Sequence, residues 1–260
     1  MNPRGLLCDI DGTLVEREAD DRHVAVPGAV ESVTRLKAEI PLRYVTNTTS
    51  RTHVELAAAL SSLGFPVDPE EVVTPARLAR QVLVERDEAR GVLIASGPSL
   101  SDYGWFELVP ADEARAVLVV SEAHGLSISE LFPAVEALLG GARLYTAQEN
   151  RVFRRGGRLV PDIGPLAAYL GYAAGKRWEA FGKPSPLLFE SIARELGLET
   201  RELAMVGDDA EFDVAGALAA GVGSGILVRT GKYRRGDEVR VSPRPTRTID
   251  SIAGLVAALG

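Results

Sequence analysis

The 260-residue sequence is poor in the residues that crosslink small domains or bind soft metals, with one cysteine, Cys8, and three histidines, His23, His53 and His124. A single thiol closes no intramolecular disulfide, and scattered histidines give no zinc-ligand spacing, so any metal would be a hard one held by oxygen. Cys8 sits in an apolar run without a basic neighbour in sequence and reads as a small packed side chain rather than a reactive thiol. Long apolar stretches are missing too. Segments 91–95 and 116–120 fall far short of the roughly 20 residues of a membrane helix. The N-terminal run is broken by Asp9 and Asp11, where a secretory signal needs an unbroken apolar core, so a cytoplasmic location without a membrane partner is expected. Positive charge is in deficit: Lys and Arg number 29 against 36 Asp and Glu, a net charge of −7. With no basic domain and no aromatic RNA-binding signature, a nucleic-acid partner is not expected, and a small molecule is.

What is present is a folding composition, 46% hydrophobic and 25% charged, enough to build a sizeable core. Short apolar runs alternate with amphipathic segments along the whole chain. This predicts an α/β protein with a Rossmann-like, doubly wound parallel sheet. Strands are expected at 5–8, 42–46, 203–206 and 226–228, with helices at 28–36, 52–63 (stopped by Gly64) and 185–196. Between them, strands at 92–95, 117–120 and 143–146 and helices at 128–139 and 165–174 form a β/α alternation of their own. This middle section carries no catalytic cluster, whereas acidic motifs lie near both chain ends. The expected organisation is a split core, 1–77 and 180–260, with an inserted α/β cap domain at 78–179.

Four strand ends carry the polar chemistry. Asp9-Ile10-Asp11-Gly12-Thr13 follows the first strand and sets two carboxylates at its C-terminal end, where open α/β sheets bind ligands. Carboxylates this close repel unless they share a cation or proton, which suits a Mg²⁺ site with Asp9 also able to attack phosphorus and Asp11 able to move protons. Alone, the same residues also read as an acidic turn. After the second strand, Thr46 and Asn47 are suited to phosphate oxygens, while Thr49 and Ser50 read as helix caps. A third strand, 179–181, precedes Gly182-Lys183-Pro184. Lys183 offers a point charge near the acids, and Pro184 is expected in the first turn of the next helix. The fourth strand ends in Gly207-Asp208-Asp209, with Asp213 beyond. Asp208 is expected to complete the metal shell, Asp209 to cap the helix, and Asp213 to orient Lys183 or a water.

As a set, Asp9 to Thr13, Thr46, Lys183 and Asp208 with Asp213 resemble the four motifs of the haloacid dehalogenase-like phosphohydrolases. The long insertion between Thr46 and Lys183 resembles the subclass whose cap lies between the second and third motifs. Segments 45–51, 207–209 and 228–233 look most like the branch of phospholysine phosphohistidine inorganic pyrophosphate phosphatase and its hydrolase-domain relatives. The resemblance implies a Mg²⁺-dependent phosphatase. Asp9 would be the nucleophile and Asp11 the general acid and base. Mg²⁺ would be held by Asp9, the Asp11 backbone carbonyl and Asp208, and phosphate by Thr46, Asn47 and Lys183. The substrate would be a small phosphorylated metabolite or a P–N or pyrophosphate bond. A homodimer is compatible with it.

The cap would close over the site and carry substrate identity. Within it, segment 146–151, with Asn150, is the candidate for substrate contact by position. Tyr103, Trp105 and Phe106 read as local core. Arg154, Arg155 and Arg158 around Gly156-Gly157 read as a solvated hairpin, and Lys232, Arg234 and Arg235 as a solvated loop. Two other classes stay open: a receiver-like phosphoacceptor, which is usually smaller, and an idle relative that only binds, which would be expected to lack a motif residue.

Overall fold

The computed structural model describes residues 2–17, 22–95, 98–121, 126–155 and 158–259. In chain order, β1 (Gly5–Asp9) is followed by the ribbon β2 (Val15–Arg17) and β3 (His23–Ala25), then α1 (Ala29–Lys37), β4 (Leu42–Val45), α2 (His53–Ser62), β5 (Val72–Val73) and α3 (Pro75–Glu85). Next come β6 (Arg90–Ile94), β7 (Glu107–Leu108), β8 (Ala116–Val119), α4 (Phe132–Leu139), β9 (Arg143–Thr146), β10 (Val152–Arg155), β11 (Arg158–Pro161), α5 (Ile163–Ala174) and β12 (Trp178–Ala180). The last part holds α6 (Pro186–Leu196), β13 (Leu203–Gly207), a π-helical turn (Ala210–Ala215) running into α7 (Gly216–Ala219), β14 (Ser224–Val228), α8 (Asp237–Arg240), β15 (Arg247–Ile249) and α9 (Leu255–Leu259). Among the described residues, no helix is long and apolar enough to cross a membrane.

The chain divides into two compact units, one of Met1–Thr46, His53–Val73 and Lys183–Gly260, the other of Asn47–Thr52 and Thr74–Gly182. The first is built on a sheet in the order β15-β14-β13-β1-β4-β5, with all neighbours parallel. The chain moves outward from β1 through β4 and β5, then returns to the other side of β1 and moves outward again from β13 to β15. Such a reversal opens a crevice beyond the carboxyl ends of the strands, where ligands of open α/β sheets bind. Register sets those ends side by side: Asp9 pairs with Val45, and Cys8 with Val206.

Both β1 and β13 are buried along their whole length, which is why each reads as a nearly continuous apolar run rather than an alternating one. Leu6, Cys8 and Ile10 pack with Tyr44, with Val33 and Leu36 of α1, with Leu56 and Leu60 of α2, and with Leu255 of α9. The helical spacing of the buried α1 positions Ala29, Ser32, Val33 and Leu36 is what the sequence pattern specifies. Cys8 is fully buried. Burial, then the charge of Asp9, pushes its thiol up, in keeping with a packed, unreactive side chain.

The second unit has its own all-parallel sheet, ordered β12-β9-β8-β6-β7. β10 and β11 form the antiparallel ribbon expected around Arg154 and Arg158, while Gly156 and Gly157, expected in it too, lie outside the described residues. Tyr103 and Phe106 are buried, with Trp105 at 6.2 Å and 5.9 Å from their ring centroids, a local cluster as expected.

Several local readings change. The strand expected at 179–181 is β12, and it pairs with β9 in the second sheet rather than joining the first. A three-residue strand carries no mark in its sequence of which sheet it will join. The contact-based division falls at Val73/Thr74 and Gly182/Lys183, rather than at the expected 77/78 and 179/180, and assigns Asn47–Thr52 to the second unit. Helix α2 begins at His53, so Thr49 and Ser50 lie upstream of its first turn, and the Ser50 hydroxyl is 2.9 Å from that of Thr48. Pro186, not Pro184, occupies the first turn of α6, and Pro184 follows a cis peptide bond.

Candidate active site

β1 ends at Asp9, which is 6% exposed. One carboxylate oxygen accepts from Lys183 Nζ at 2.5 Å, and the other from Thr13 Oγ1 at 2.9 Å. The carboxylate is therefore held on both oxygens. The turn that follows is closed by backbone bonds from Leu14 and Val15 to the Ile10 carbonyl and from Gly12 to the Val15 carbonyl. Asp11 takes a different environment: its side chain is 57% exposed and 3.7 Å from Nε2 of His23 on β3. His23 was not anticipated from sequence, because nothing in a three-residue ribbon strand marks the residue it will face.

β13 delivers Asp208, which is almost fully buried. Asp209 caps the π-helical turn as expected, accepting from the backbone N–H groups of Glu211 at 3.1 Å and Phe212 at 3.0 Å. Asp213, on that turn, lies 2.7 Å from Lys183 Nζ and accepts from the Asp209 N–H at 3.1 Å. Lys183 thus bridges Asp9 and Asp213. Thr46, buried, follows β4 directly, and the Val45 carbonyl before it accepts from Lys183 Nζ at 3.5 Å.

Carboxylate oxygens of Asp9, Asp208 and Asp213 all lie within 4.8 Å of one another. Lys183 pairs with two of these buried acids, Asp9 and Asp213. Burial, then the charges of Asp9 and Asp213, raises the Asp208 carboxyl, and burial and Asp9 raise Asp213 against the pull of Lys183. Burial works to lower the Lys183 ammonium, but Asp213 and Asp9 outweigh it and hold it well above the usual lysine range. An excess of buried negative charge on hard oxygen donors fits a divalent cation of the Mg²⁺ or Ca²⁺ type. Asp213 joins the two expected carboxylates, Asp9 and Asp208, in this cluster.

Two other expected residues belong to the second unit. Asn47 lies where a Cβ on Gly182 would come within 2.5 Å of its Oδ1. Asn150 donates its backbone N–H to the Gln148 side chain, and its carbonyl accepts from Gly164 at 3.1 Å, fastening this loop to the start of α5.

The loop after β14 was expected to be solvated, and the Lys232 side chain is indeed exposed, yet this residue also reaches the acids. Its backbone N–H donates to Asp208 Oδ2 at 2.6 Å, and its Nζ is 3.1 Å from Asp209 Oδ2. Thr230 Oγ1 donates to the Gly12 carbonyl at 2.5 Å. A cavity of about 700 Å³ beside it is lined by Asp208, Asp209, Lys232, Arg234, Asp237 and Arg240, among others. Strand order would have revealed the contact, since β14 neighbours β13, but a single sequence does not display strand order.

The profile of the haloacid dehalogenase-like hydrolase family matches residues 6–103, and that of the HAD-hydrolase-like family residues 180–255. The chain is 35% identical to haloacid dehalogenase-like hydrolase domain-containing protein 2 of Bos taurus, over 95% of this chain and 92% of that protein. The chain belongs to the haloacid dehalogenase-like hydrolase family. It is also 32% identical to phospholysine phosphohistidine inorganic pyrophosphate phosphatase of Bos taurus, over 98% of this chain and 94% of that protein. Among solved structures, it is similar to a glycerol phosphate phosphatase of Mycobacterium tuberculosis in complex with calcium. The two share a TM-score of 0.81 and 28% identity, over 97% of this chain and 74% of that one. Within the hydrolase family, the two profiles bracket the acids of both β1 and β13 together with Lys183.

Proposed function

We propose that the protein is a Mg²⁺-dependent phosphatase that hydrolyses a small phosphorylated metabolite, or a P–N or pyrophosphate bond, through an aspartyl-phosphate. The observation that carries this reading is the Asp9 carboxylate, buried at the end of β1 and held by Lys183 and Thr13 beside two further acids. The names of the relatives support it. An oxygen of Asp9 attacks phosphorus, the bond from phosphorus to the leaving oxygen or nitrogen breaks, and Asp11 gives that atom its proton. Water then attacks the aspartyl-phosphate, Asp11 takes the proton from it, and Asp9 leaves as a carboxylate with inorganic phosphate released.

The exposure of Asp11 suits a group that exchanges protons with solvent between the half-reactions, whereas Asp9, held on both sides, suits a nucleophile of fixed direction. Lys183 and the Thr46 hydroxyl would hold phosphoryl oxygens, with Asn47 as a further donor. Asp9, Asp208 and the Asp11 backbone carbonyl would hold Mg²⁺, which supplies positive charge that neutralises nucleophile and phosphate together. The second unit would act as the cap that selects the leaving group.

The test is phosphate release from sugar phosphates, phosphoglycolate, pyridoxal phosphate, nucleotides, pyrophosphate and phosphohistidine, with Mg²⁺ and with EDTA. Mg²⁺-dependent release from one group is expected. Silence across the panel with Mg²⁺ present overturns hydrolysis in favour of a phosphoacceptor or binding role.

A further inference from the structure

The proposed reaction asks Asp208 to hold a cation, and the loop after β14 touches Asp208. Thr230-Gly231-Lys232 meets the Gly12 turn with the Asp208 carboxylate between them. Gly12 and Gly231 both have left-handed backbone, with φ of +90° and +58°. A Cβ built on Gly12 would come 2.0 Å from Asp208 Oδ2, and one on Gly231 would come 1.9 Å from the same oxygen and 2.6 Å from Gly12 Cα. The oxygen thus lies against two bare backbones that only glycine leaves open.

From the same loop, the Lys232 N–H donates to Oδ2 at 2.6 Å, and the Thr230 hydroxyl donates to the Gly12 carbonyl at 2.5 Å. Lys232 Nζ adds a contact to Asp209 at 3.1 Å. The loop is therefore fastened at once to the turn that follows Asp9 and to the strand end that carries Asp208. It binds together two chain segments that share no sequence neighbourhood.

We propose that Thr230, Gly231 and Lys232 form a clasp that positions the Asp208 carboxylate relative to Asp9 and thereby sets the protein's affinity for its divalent cation. The proposal rests on the reading that Asp9 and Asp208 hold such a cation. The clasp holds one oxygen of Asp208, and with it the orientation of the whole carboxylate. The Thr230 bond ties this loop to the turn that follows Asp9, and the Lys232 N–H ties it to Asp208, so that the two acids keep their spacing. Groups of this kind, which touch a ligand residue rather than the metal, commonly govern affinity as strongly as ligands do. These are positioning residues and make no contact with the reacting atoms.

The test is titration of the metal-free full-length chain with Mg²⁺ by calorimetry, paired with the Mg²⁺-induced rise in unfolding temperature, so that neither readout depends on turnover. Thr230→Val keeps the shape of the side chain and removes the donor. Binding weaker by roughly ten- to a hundredfold is expected, with an unchanged circular dichroism spectrum and near wild-type binding restored by Thr230→Ser. If Thr230→Val does not fold, Thr230→Ala removes the same donor and adds no atoms. Wild-type affinity in a folded Thr230 variant overturns the clasp while leaving the phosphatase reading intact. Failure of the wild-type chain to bind Mg²⁺ removes the cation reading itself, and the clasp with it.

Discussion

At the scale of single residues, Asp9 and Lys183 carry the most weight because each is buried and each depends on the other. Asp9→Asn keeps the size of the side chain and its contact with Thr13 but removes the nucleophilic charge. Turnover is expected to vanish while the unfolding curve stays cooperative, and a variant with wild-type kinetics would be incompatible with the proposed nucleophile. Lys183→Met leaves Asp9 and Asp213 facing each other without their shared ammonium. Breaking a buried pair in this way costs about 3–5 kcal/mol. Urea unfolding at neutral pH should show that loss, and the loss should shrink at acidic pH, where the orphaned acids take up protons.

The raised carboxyls of Asp208 and Asp213 give stability a definite pH dependence. A group whose folded-state pKa exceeds its unfolded value binds more protons when folded, so its contribution is complete below the ordinary aspartate value of about 3.9 and is lost as pH rises through the folded value. As pH rises through about 7 for Asp213 and about 8 for Asp208, the metal-free protein should therefore unfold at progressively lower temperature. Mg²⁺ should restore more stability at the high end than at the low end, with protons released on binding. A calorimetric series over pH, with and without Mg²⁺, checks both signs. Asp208 was readable from sequence, since it follows an apolar strand at its carboxyl end, and Asp213 from its place five residues beyond it. The clasp was not. One of its bonds comes from a backbone N–H, and its hydroxyl contact spans 218 residues, so no local pattern of side chains encodes either.

Elements were legible where the hydrophobic pattern was long and ambiguous where it was short. The buried runs of β1 and β13 and the amphipathic face of α1 declared themselves. Strand β12, three residues long, was assigned to the wrong sheet because its neighbour β9 is fixed by packing rather than by anything in Trp178-Glu179-Ala180. The entry to α6 was misread for a related reason: two prolines, Pro184 and Pro186, lie within one turn, and helix geometry accepts either at its start. Strand β1 is the element on which the others depend, with partners on both sides. Leu6→Ala, at a fully buried position in its centre, is expected to cost about 2–5 kcal/mol. Chemical denaturation measures that cost, and a loss below 1 kcal/mol would mean that the central strand is less tightly packed than its burial implies.

For the whole molecule, the division of labour follows from where the acids lie. Among the described residues, the one cluster of three acids close enough to share a cation lies in the first unit, and the second unit has no counterpart to it. Replacing residues 146–151 should therefore reorder the preferred substrates while altering hydrolysis of a small aryl phosphate much less. Steady-state kinetics on both kinds of substrate decide this, and uniform losses would assign the loop to folding rather than selection. The α/β class was visible from alternation. The order of strands in either sheet was not, because a single sequence specifies faces and periods rather than neighbours.

The first unit is discontinuous and the second nearly continuous, and this has a consequence for synthesis. Asp9 and Lys183 are 174 residues apart, and at about 5–20 residues per second a translating ribosome needs roughly 10–35 s to make the intervening chain. Strand β1 leaves the ribosome long before β13, the neighbour that completes its pairing, exists. The sheet of the second unit, whose strands all lie between residues 90 and 180, can be complete while β1 still lacks that neighbour. During that interval the buried strand β1 is a half-paired edge. The emerging chain is then most exposed to misassociation, and most dependent on whatever shields it, between the first acid and the lysine that neutralises it.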